Sequence, residues 1–234
     1  MELKGIKLTW LGHATFRVET PGGKTIYIDP WVMGNPSCPA AERTVRKADV
    51  LLCTHGHYDH IGDAVEIAKK HEPTVVGIFE LCTWMEKKGV KNTAAMNKGG
   101  SMTIEDVRVT MVHADHSCGI LDGDEIVYGG EACGYVIEFA NGVKIYHAGD
   151  TNVFGDMKII RELYGPSIAM LPIGDRFTMS PREAVYAVQL LGVHTVIPMH
   201  FATFPLLTGT PGALKKLAGD VEVAEMKPGV TVSN

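Results

Sequence analysis

The chain has 234 residues, of which 45% are hydrophobic and 21% are charged, with a formal net charge of −5 and a sequence pI of about 6.0. This composition is typical of a globular protein that can bury a substantial core. The acidic balance and the absence of a lysine- and arginine-rich run argue against a general nucleic-acid-binding surface.

The sequence also argues against secretion and membrane insertion. No apolar run approaches the ~18 residues of a membrane span, and the first seven residues carry charges where a secretory signal requires an apolar stretch. Five cysteines are scattered without a C-x-x-C pair, which favours reduced thiols over a cysteine-based metal site. We therefore predict a cytoplasmic protein with no membrane partner and leave its oligomeric state open.

Strands dominate the first part of the chain. Segments rich in β-branched or aromatic residues predict strands over residues 7–10, 15–20 and 24–28. Pro21-Gly22-Gly23 is a turn signal between the last two of them. Residues 49–53 are mostly apolar, as is typical of a strand buried on both faces.

Beyond residue 53 the predicted strands alternate with helices. Further strands are predicted over residues 75–78, 107–112, 132–139, 143–147 and 195–198, and helices over residues 63–71, 81–88, 180–192 and 211–217. Asp63 with Glu66, and Ser180 with Glu183, have the spacing of N-terminal capping boxes. Asn141-Gly142 predicts a tight hairpin turn.

Residues 18–29 and 137–150 resemble each other. Each segment has the pattern of a strand, a turn and a strand followed by an aspartate, Asp29 in the first and Asp150 in the second. Chance similarity of two hairpins is the alternative to an internal duplication. Together with the helices, this pattern predicts an α/β protein with two mixed sheets flanked by helices, in a single domain over residues 1–234.

The most informative stretch is His55-Gly56-His57-Tyr58-Asp59-His60, which places three imidazoles and a carboxylate within six residues. Imidazole nitrogen and carboxylate oxygen are usual ligands of zinc, iron and manganese. Because side chains alternate along a strand, we expect His55 and His57 to point at one ion. Asp59 and His60 then turn toward a second ion.

Two metal ions need more ligands than this stretch supplies, and suitable residues follow later predicted strands. His113 and His116 lie near the end of one strand, and Asp150 and His200 follow two others. Functional groups of open α/β proteins gather outside the carboxyl ends of strands. These residues therefore complete a candidate metal centre, with either His113 or His116 as a ligand.

The H-x-H-x-D-H run, a later histidine, an aspartate in a Gly-Asp-Thr context and a C-terminal histidine resemble the metallo-β-lactamase superfamily. Further segments, among them Leu11-Gly12-His13-Ala14 and Phe177-Thr178-Met179-Ser180-Pro181, resemble its compact metal-dependent hydrolases of bacteria and archaea, related to ascorbate-6-phosphate lactonase. The resemblance implies a four-layer αβ/βα sandwich.

The same resemblance implies a role for each candidate ligand. His55, His57 and His116 would hold one metal ion, Asp59, His60 and His200 the other, and Asp150 would bridge them. The subgroup pattern of histidine followed by serine favours His116 over His113. A redox diiron branch has glutamate at the position of His57, so this histidine favours the hydrolytic branch, whereas iron-dependent sulfur dioxygenases share the whole run.

Several other polar residues are secondary candidates. His13 is expected to orient a metal ligand, to take part in catalysis or to be purely structural. Asp29 is expected to accept a hydrogen bond from a ligand histidine or to cap a turn. Asp175 and Arg176 are expected either to line the pocket or to be ordinary solvated charges.

These residues predict a hydrolase with two divalent ions, zinc, manganese or nickel, with iron as a further candidate. Ions about 3.5–4 Å apart share a water and turn it into a nucleophile at neutral pH. We expect catalytic roles for Asp59, Asp150 and His13, and a small-molecule or nucleotide-type substrate. A phosphodiester is the first expectation. A lactone or other carboxylic ester is the second, and mononuclear-iron oxidation or metal binding without catalysis is the third.

Overall fold

Two seven-stranded sheets form the centre of the molecule in the computed structural model, which describes residues 1–234. Helices cover the outer face of each sheet, which gives four layers. The α/β sandwich predicted from the sequence is therefore confirmed. No helix combines the length and the hydropathy that crossing a membrane requires.

The first sheet is built mainly from the N-terminal half of the chain. Its strands are β1 Lys7–Trp10, β2 Phe16–Glu19, β3 Thr25–Ile28, β4 Val50–Leu52, β5 Thr74–Ile78, β6 Thr93–Met96 and the C-terminal β16 Thr231–Val232. Their spatial order is β16-β1-β2-β3-β4-β5-β6. The last strand of the chain thus pairs with the first one, in antiparallel orientation.

The second sheet comes from the C-terminal half. Its strands are β7 Ser101–Ile104, β8 Val107–His113, β11 Cys133–Phe139, β12 Lys144–His147, β13 Ile168–Pro172, β14 Thr195–Met199 and β15 Glu222–Val223. Their spatial order is β7-β8-β11-β12-β13-β14-β15. Strands β9 Gly119–Asp122 and β10 Glu125–Tyr128 form a separate hairpin.

The two sheets repeat one pattern of strand directions. From β1 to β6, the first two neighbouring pairs are antiparallel and the next three are parallel. From β8 through β11 to β15, the same sequence of directions occurs. The resemblance between residues 18–29 and 137–150 therefore corresponds to equivalent hairpins, β2–β3 and β11–β12.

Six helices flank the sheets. They are α1 Tyr58–Ile61, α2 Ala64–His71, α3 Phe79–Lys87, α4 Met157–Tyr164, α5 Pro181–Leu191 and α6 Pro211–Leu217, with a short 3₁₀ helix at Ala40–Glu42. The main core of 45 buried residues includes side chains of both sheets and of α2 and α3. A second core of 17 residues lies between the second sheet and α4, α5 and α6.

Two local predictions differ in outcome. Ser180 and Glu183 form the predicted capping box at the start of α5. The box predicted at Asp63 and Glu66 is wrong, because the Asp63 carboxylate does not cap α2. It accepts hydrogen bonds from the backbone N–H groups of Val32 and Met33 at 2.5 and 2.7 Å, and so fixes the loop after β3.

Candidate metal centre

The carboxyl ends of strands from both sheets meet at one edge of the sandwich. In the first sheet β1, β3 and β4 run in the same direction, because β1 and β3 are each antiparallel to β2, and β4 is parallel to β3. In the second sheet β8, β12 and β14 share a direction for the same reason. The loops after these six strands carry the candidate ligands.

His55, His57 and His116 form one cluster, in which one ring nitrogen of each residue lies within 4.8 Å of the others. His55 Nε2 lies 3.0 Å from His57 Nδ1. The expectation that strand alternation aligns His55 and His57 is wrong, because β4 ends at Leu52 and both residues lie beyond it. His57 is instead the residue that precedes α1.

Gly56 and Gly149 allow the backbone to approach its neighbours at two points of the site. A Cβ added to Gly56 would lie 2.5 Å from Ile120 Cγ1, so the loop between the two histidines packs directly on β9. A Cβ added to Gly149 would lie 2.7 Å from the Cys133 carbonyl oxygen, and the residue has a φ of +63°. Both positions therefore require glycine.

Asp59, His60 and His200 form a second cluster, to which His13 also belongs by distance. Asp59 and His60 lie in the single turn of α1, and His200 directly follows β14. His60 and His200 are almost completely buried, whereas Asp59 is partly exposed. This cluster has the residues that the sequence assigned to the second metal ion.

Asp150 lies between the two clusters. Its Oδ2 atom is 3.0 Å from His200 Nε2, 3.3 Å from His60 Nε2 and 3.6 Å from His116 Nε2. It is 4.0 Å from His55 Nε2. One carboxylate oxygen thus faces imidazoles of both clusters, which is the position that a bridging ligand requires.

Asp29 organises a histidine of each cluster without lying between them. Its Oδ2 atom accepts a hydrogen bond from His60 Nδ1 at 2.7 Å and another from Thr54 Oγ1 at 2.7 Å. Because the Thr54 hydroxyl donates to Asp29, it accepts the proton of His55 Nδ1 at 3.0 Å. With a single proton on each ring, that proton lies on Nδ1, which leaves the Nε2 lone pair to a metal ion.

His13 is completely buried and has a defined tautomer. Its Nε2 lies 3.0 Å from Asp59 Oδ2, and its Nδ1 lies 2.9 Å from Thr203 Oγ1. A carboxylate only accepts, so Nε2 carries the proton and Nδ1 accepts one from Thr203. Burial, together with His200, lowers the pKa of His13 to about 4, so the ring is neutral at pH 7.

The residues present fit a pair of cations. The protein supplies no hydrogen-bond partner for His60 Nε2, Asp150 Oδ1 or either ring nitrogen of His200, although all of these atoms are buried. Unpaired buried polar groups are costly unless a further ligand satisfies them. Nitrogen and oxygen donors in this arrangement suit zinc, manganese, nickel or iron.

The electrostatics of the site support this fit. Burial lowers the pKa of His55 well below its usual range, so its ring is neutral and its lone pair is free. Burial alone would raise the pKa of Asp150, but His200 and His60 outweigh it and hold this pKa well below its usual range. A neutral His55 and an ionised Asp150 therefore offer a lone pair and a negative charge to a cation. Although burial lowers the pKa of His60, Asp150 and Asp29 raise it well above its usual range, so a metal ion at this ring would displace a proton.

Two alternatives raised by the sequence lie away from this centre. His113 is exposed, packs on Phe154 and contacts Lys98 at 3.2 Å, so it does not join the cluster that contains His116. Asp175 and Arg176 are exposed and do not line the cavity above the metal centre, whereas their neighbour Phe177 does. Thr54 and Thr203 were missed, because a threonine near a histidine carries no sequence signal of its own.

The chain matches the beta-lactamase superfamily domain over residues 24–201. It is 65% identical over 233 residues to a UPF0173 metal-dependent hydrolase of Koribacter versatilis, a match that covers 100% of both chains. It is 51% identical to a UPF0173 metal-dependent hydrolase of Solibacter usitatus over 97% of this chain and 99% of the relative.

A solved structure shows similarity over nearly the whole length. A metallo hydrolase of the archaeon Ignicoccus hospitalis superposes with a TM-score of 0.85 and 35% sequence identity, and the alignment covers 97% of each chain.

Proposed function

The chain belongs to the beta-lactamase superfamily and, within it, to the UPF0173 metal-dependent hydrolases, and on this premise we propose that it hydrolyses a phosphodiester with two divalent metal ions. The observation that carries the proposal is the position of Asp150 Oδ2, which faces imidazoles of both clusters within 4.0 Å. A pair of cations sharing one carboxylate suits an in-line displacement at phosphorus.

We assign His55, His57 and His116 to one ion and Asp59, His60 and His200 to the other, with Asp150 shared. This assignment leaves out His13, although it lies close to the second cluster. Both of its ring nitrogens already have partners, Asp59 and Thr203, whereas His60 Nε2 and His200 Nε2 have none. His13 is therefore a positioning residue that acts through Asp59.

When bound, the two ions would supply an activated water and neutralise negative charge on the reacting group. The chain's own residues orient this chemistry. Asp29 and Thr54 fix the rings of His60 and His55, and His13 donates a hydrogen bond to Asp59. The floor of the cavity is formed by His57, Asp59, His116, Asp150 and His200.

The charges around the cavity favour a diester over a monoester. No lysine or arginine is among the residues that line it, and two of the lining residues are aspartates. A phosphomonoester carries about two negative charges at pH 7, and sites that bind it usually add cationic side chains. A diester carries only one negative charge, which the two metal ions suffice to balance.

A lactone or other carboxylic ester is the second candidate. The same absence of cationic side chains favours it, because its carbonyl group carries no net charge before attack. The binding of metal ions does not separate the two reactions, since both use an activated water. The distinction therefore rests on substrate tests.

The experiment combines metal analysis with matched substrates. We expect elemental analysis of the purified protein to find about two transition-metal ions per chain, and we expect faster hydrolysis of bis(p-nitrophenyl) phosphate than of p-nitrophenyl phosphate with manganese, nickel or zinc. If a lactone is hydrolysed rapidly while both phosphate esters are hydrolysed only at the background rate, the proposed phosphodiesterase activity is wrong and a lactonase activity takes its place. Failure to bind zinc, manganese or nickel would contradict both.

A further inference from the structure

The cavity above the metal centre has a volume of about 670 Å³ and is lined by candidate ligands and by apolar side chains. Its floor consists of the candidate ligands. Its wall is apolar and is formed by Tyr58, Leu121, Phe177, Phe204, Pro205 and Leu206. A cavity that is polar at one point and apolar around it is typical of small-molecule sites.

The apolar wall is open to solvent in this structure. Leu121 is 62% exposed and Phe177 is 51% exposed, and Tyr58 and Leu206 are exposed to a similar extent. Single exposed apolar side chains are common, but four of them around one cavity form a patch that indicates a binding surface. Their position beside the metal ligands indicates that the occupant is the substrate.

Separate parts of the chain build this wall. Tyr58 begins α1, Leu121 lies in β9, Phe177 lies between β13 and α5, and Phe204 and Leu206 follow β14. The buried ring of Trp31 packs behind one side of this wall. Trp31 packs against Phe204 and Tyr58, with ring centroids 6.0 and 5.7 Å apart.

The shape and charge of the lining limit the ligand. Flat aromatic rings and branched aliphatic side chains complement an uncharged ring. No lysine or arginine is among the lining residues, and the Arg176 guanidinium lies outside the lining, 5.6 Å from the centroid of the Phe177 ring. The lining itself therefore offers no cationic partner to a second anionic group. The complementary ligand has one reacting group with at most one negative charge and a bulky uncharged ring beside it.

We propose that the cavity selects esters that carry an uncharged aromatic ring next to the reacting group, with Leu121 and Phe177 as specificity-determining residues. The phosphodiester bond in these substrates rests on the proposed function, whereas the preference for a ring rests on the wall alone. The ring lies against the wall while the reacting group faces the metal ligands on the floor.

A pair of non-reacting anions tests the wall separately from the reaction. Diphenylphosphinate and dimethylphosphinate each carry one negative charge and contain no ester bond. With the metal-loaded protein, calorimetry should give an affinity at least about tenfold higher for diphenylphosphinate, because its rings remove apolar surface from water. Equal affinities, or no binding of either anion, would overturn the proposal.

Two variants and two matched controls locate the effect. Phe177→Ala and Leu121→Ala should each reduce the diphenyl preference about threefold to tenfold. Tyr186→Ala and Leu163→Ala remove side chains that are 57% and 67% exposed on α5 and α4, outside the lining, and should leave the preference unchanged. The proposal is wrong if the controls lower the preference as much as the two wall variants.

A second copy of the chain is the other occupant that the apolar wall would fit. If Phe177→Ala shifts the oligomeric state in sedimentation and leaves the diphenyl preference intact, the wall is a subunit contact and the proposal falls.

Kinetics separate this inference from the proposed function. Phenyl p-nitrophenyl phosphate and methyl p-nitrophenyl phosphate share a leaving group and differ only in the second ester group. A kcat/KM about tenfold higher for the phenyl diester supports the inference. Equal kcat/KM values for the two diesters would overturn the inference. A preference for diphenylphosphinate without cleavage of either diester would overturn only the proposed phosphodiesterase activity.

Discussion

Asp29 and Asp150 follow equivalent strands of the two sheets and have different surroundings. Asp29 follows β3 and accepts hydrogen bonds from His60 and Thr54, so its oxygens are occupied by protein donors. Asp150 follows β12 and leaves Oδ1 without any partner, while Oδ2 faces four imidazoles. The topology places a carboxylate at each position, and the neighbouring donors decide whether it orients ligands or serves as one.

His13 and His116 extend this comparison to a second pair of strands. Each lies three residues beyond its strand, β1 for His13 and β8 for His116. His13 is buried with both nitrogens hydrogen-bonded, whereas His116 reaches the cavity beside His55 and His57. In both pairs the residue from the first sheet supports the centre and the residue from the second sheet faces it.

The largest effect is expected from Asp150→Ala. Removing the carboxylate between the clusters should lower hydrolytic activity by more than about 100-fold, which exceeds the usual loss for a supporting residue. Metal content should fall at the same time. Activity on the best substrate, elemental analysis and circular dichroism check this, and a folded variant within tenfold of the wild type would contradict the bridging role.

His116→Ala should have the next largest effect, and His113→Ala is its matched control. The first substitution removes an imidazole from the cluster with His55 and His57, so we expect weaker binding of one metal ion and loss of most activity. The second removes an exposed side chain outside the centre and should change activity less than threefold. The assignment is reversed if His113→Ala is the more damaging variant.

Asp29→Asn should have an intermediate effect on metal binding. Asparagine keeps an acceptor for only part of the network around His60 and Thr54, so metal affinity should fall about 10-fold to 100-fold. Stability should also fall by about 1–3 kcal/mol, because a buried donor loses its partner. Metal titrations and urea unfolding measure these losses. A loss of metal binding as large as that of Asp150→Ala would show that Asp29 and Asp150 do not differ in their roles.

His13→Asn should change the pH dependence of stability in the metal-free protein. Burial, together with His200 and His60, outweighs the opposing effect of Asp59 and lowers the pKa of His13 from 6.5 to about 4. Between these values the unfolded chain binds a proton that the folded protein does not, so His13 makes the free energy of unfolding decrease as the pH falls. The variant should lose up to about 1.4 kcal/mol per pH unit of this slope.

Urea unfolding between pH 6.5 and 5 measures that slope. His194→Asn, at an exposed histidine, is the control and should retain the wild-type slope. An unchanged slope in His13→Asn would show that the ring does not remain neutral when the protein folds.

Much of the fold could be predicted from local patterns. The strands of the two equivalent hairpins lie within one residue of their predicted bounds, because alternation and turn residues act over a few positions. Edge strands such as Thr93–Met96 and Glu222–Val223 were missed. Such strands are short or contain residue types that are uncommon in strands. Only their hydrogen bonding to the neighbouring strand defines them.

The candidate ligands could be found from residue type and spacing, but their support could not. Thr54 and Thr203 matter only because the fold brings them to His55 and His13. The left-handed backbone at His13, Asp29 and His200, with φ of +55°, +48° and +55°, was equally hidden, since none of these residues is a glycine. At Asp63 the sequence had a capping pattern that the fold does not follow. The carboxylate accepts hydrogen bonds from the loop after β3 instead of capping α2.

The pairing of β16 with β1 has a consequence for synthesis on the ribosome. A growing chain emerges with its N-terminal half first, and that half contains six of the seven strands of the first sheet. Until residues 231–232 emerge, the free edge of β1 is exposed to pairing with other nascent chains. The edge of β1 is therefore closed only after residues 231–232 have left the ribosome, and the unpaired first sheet should depend on chaperones until then.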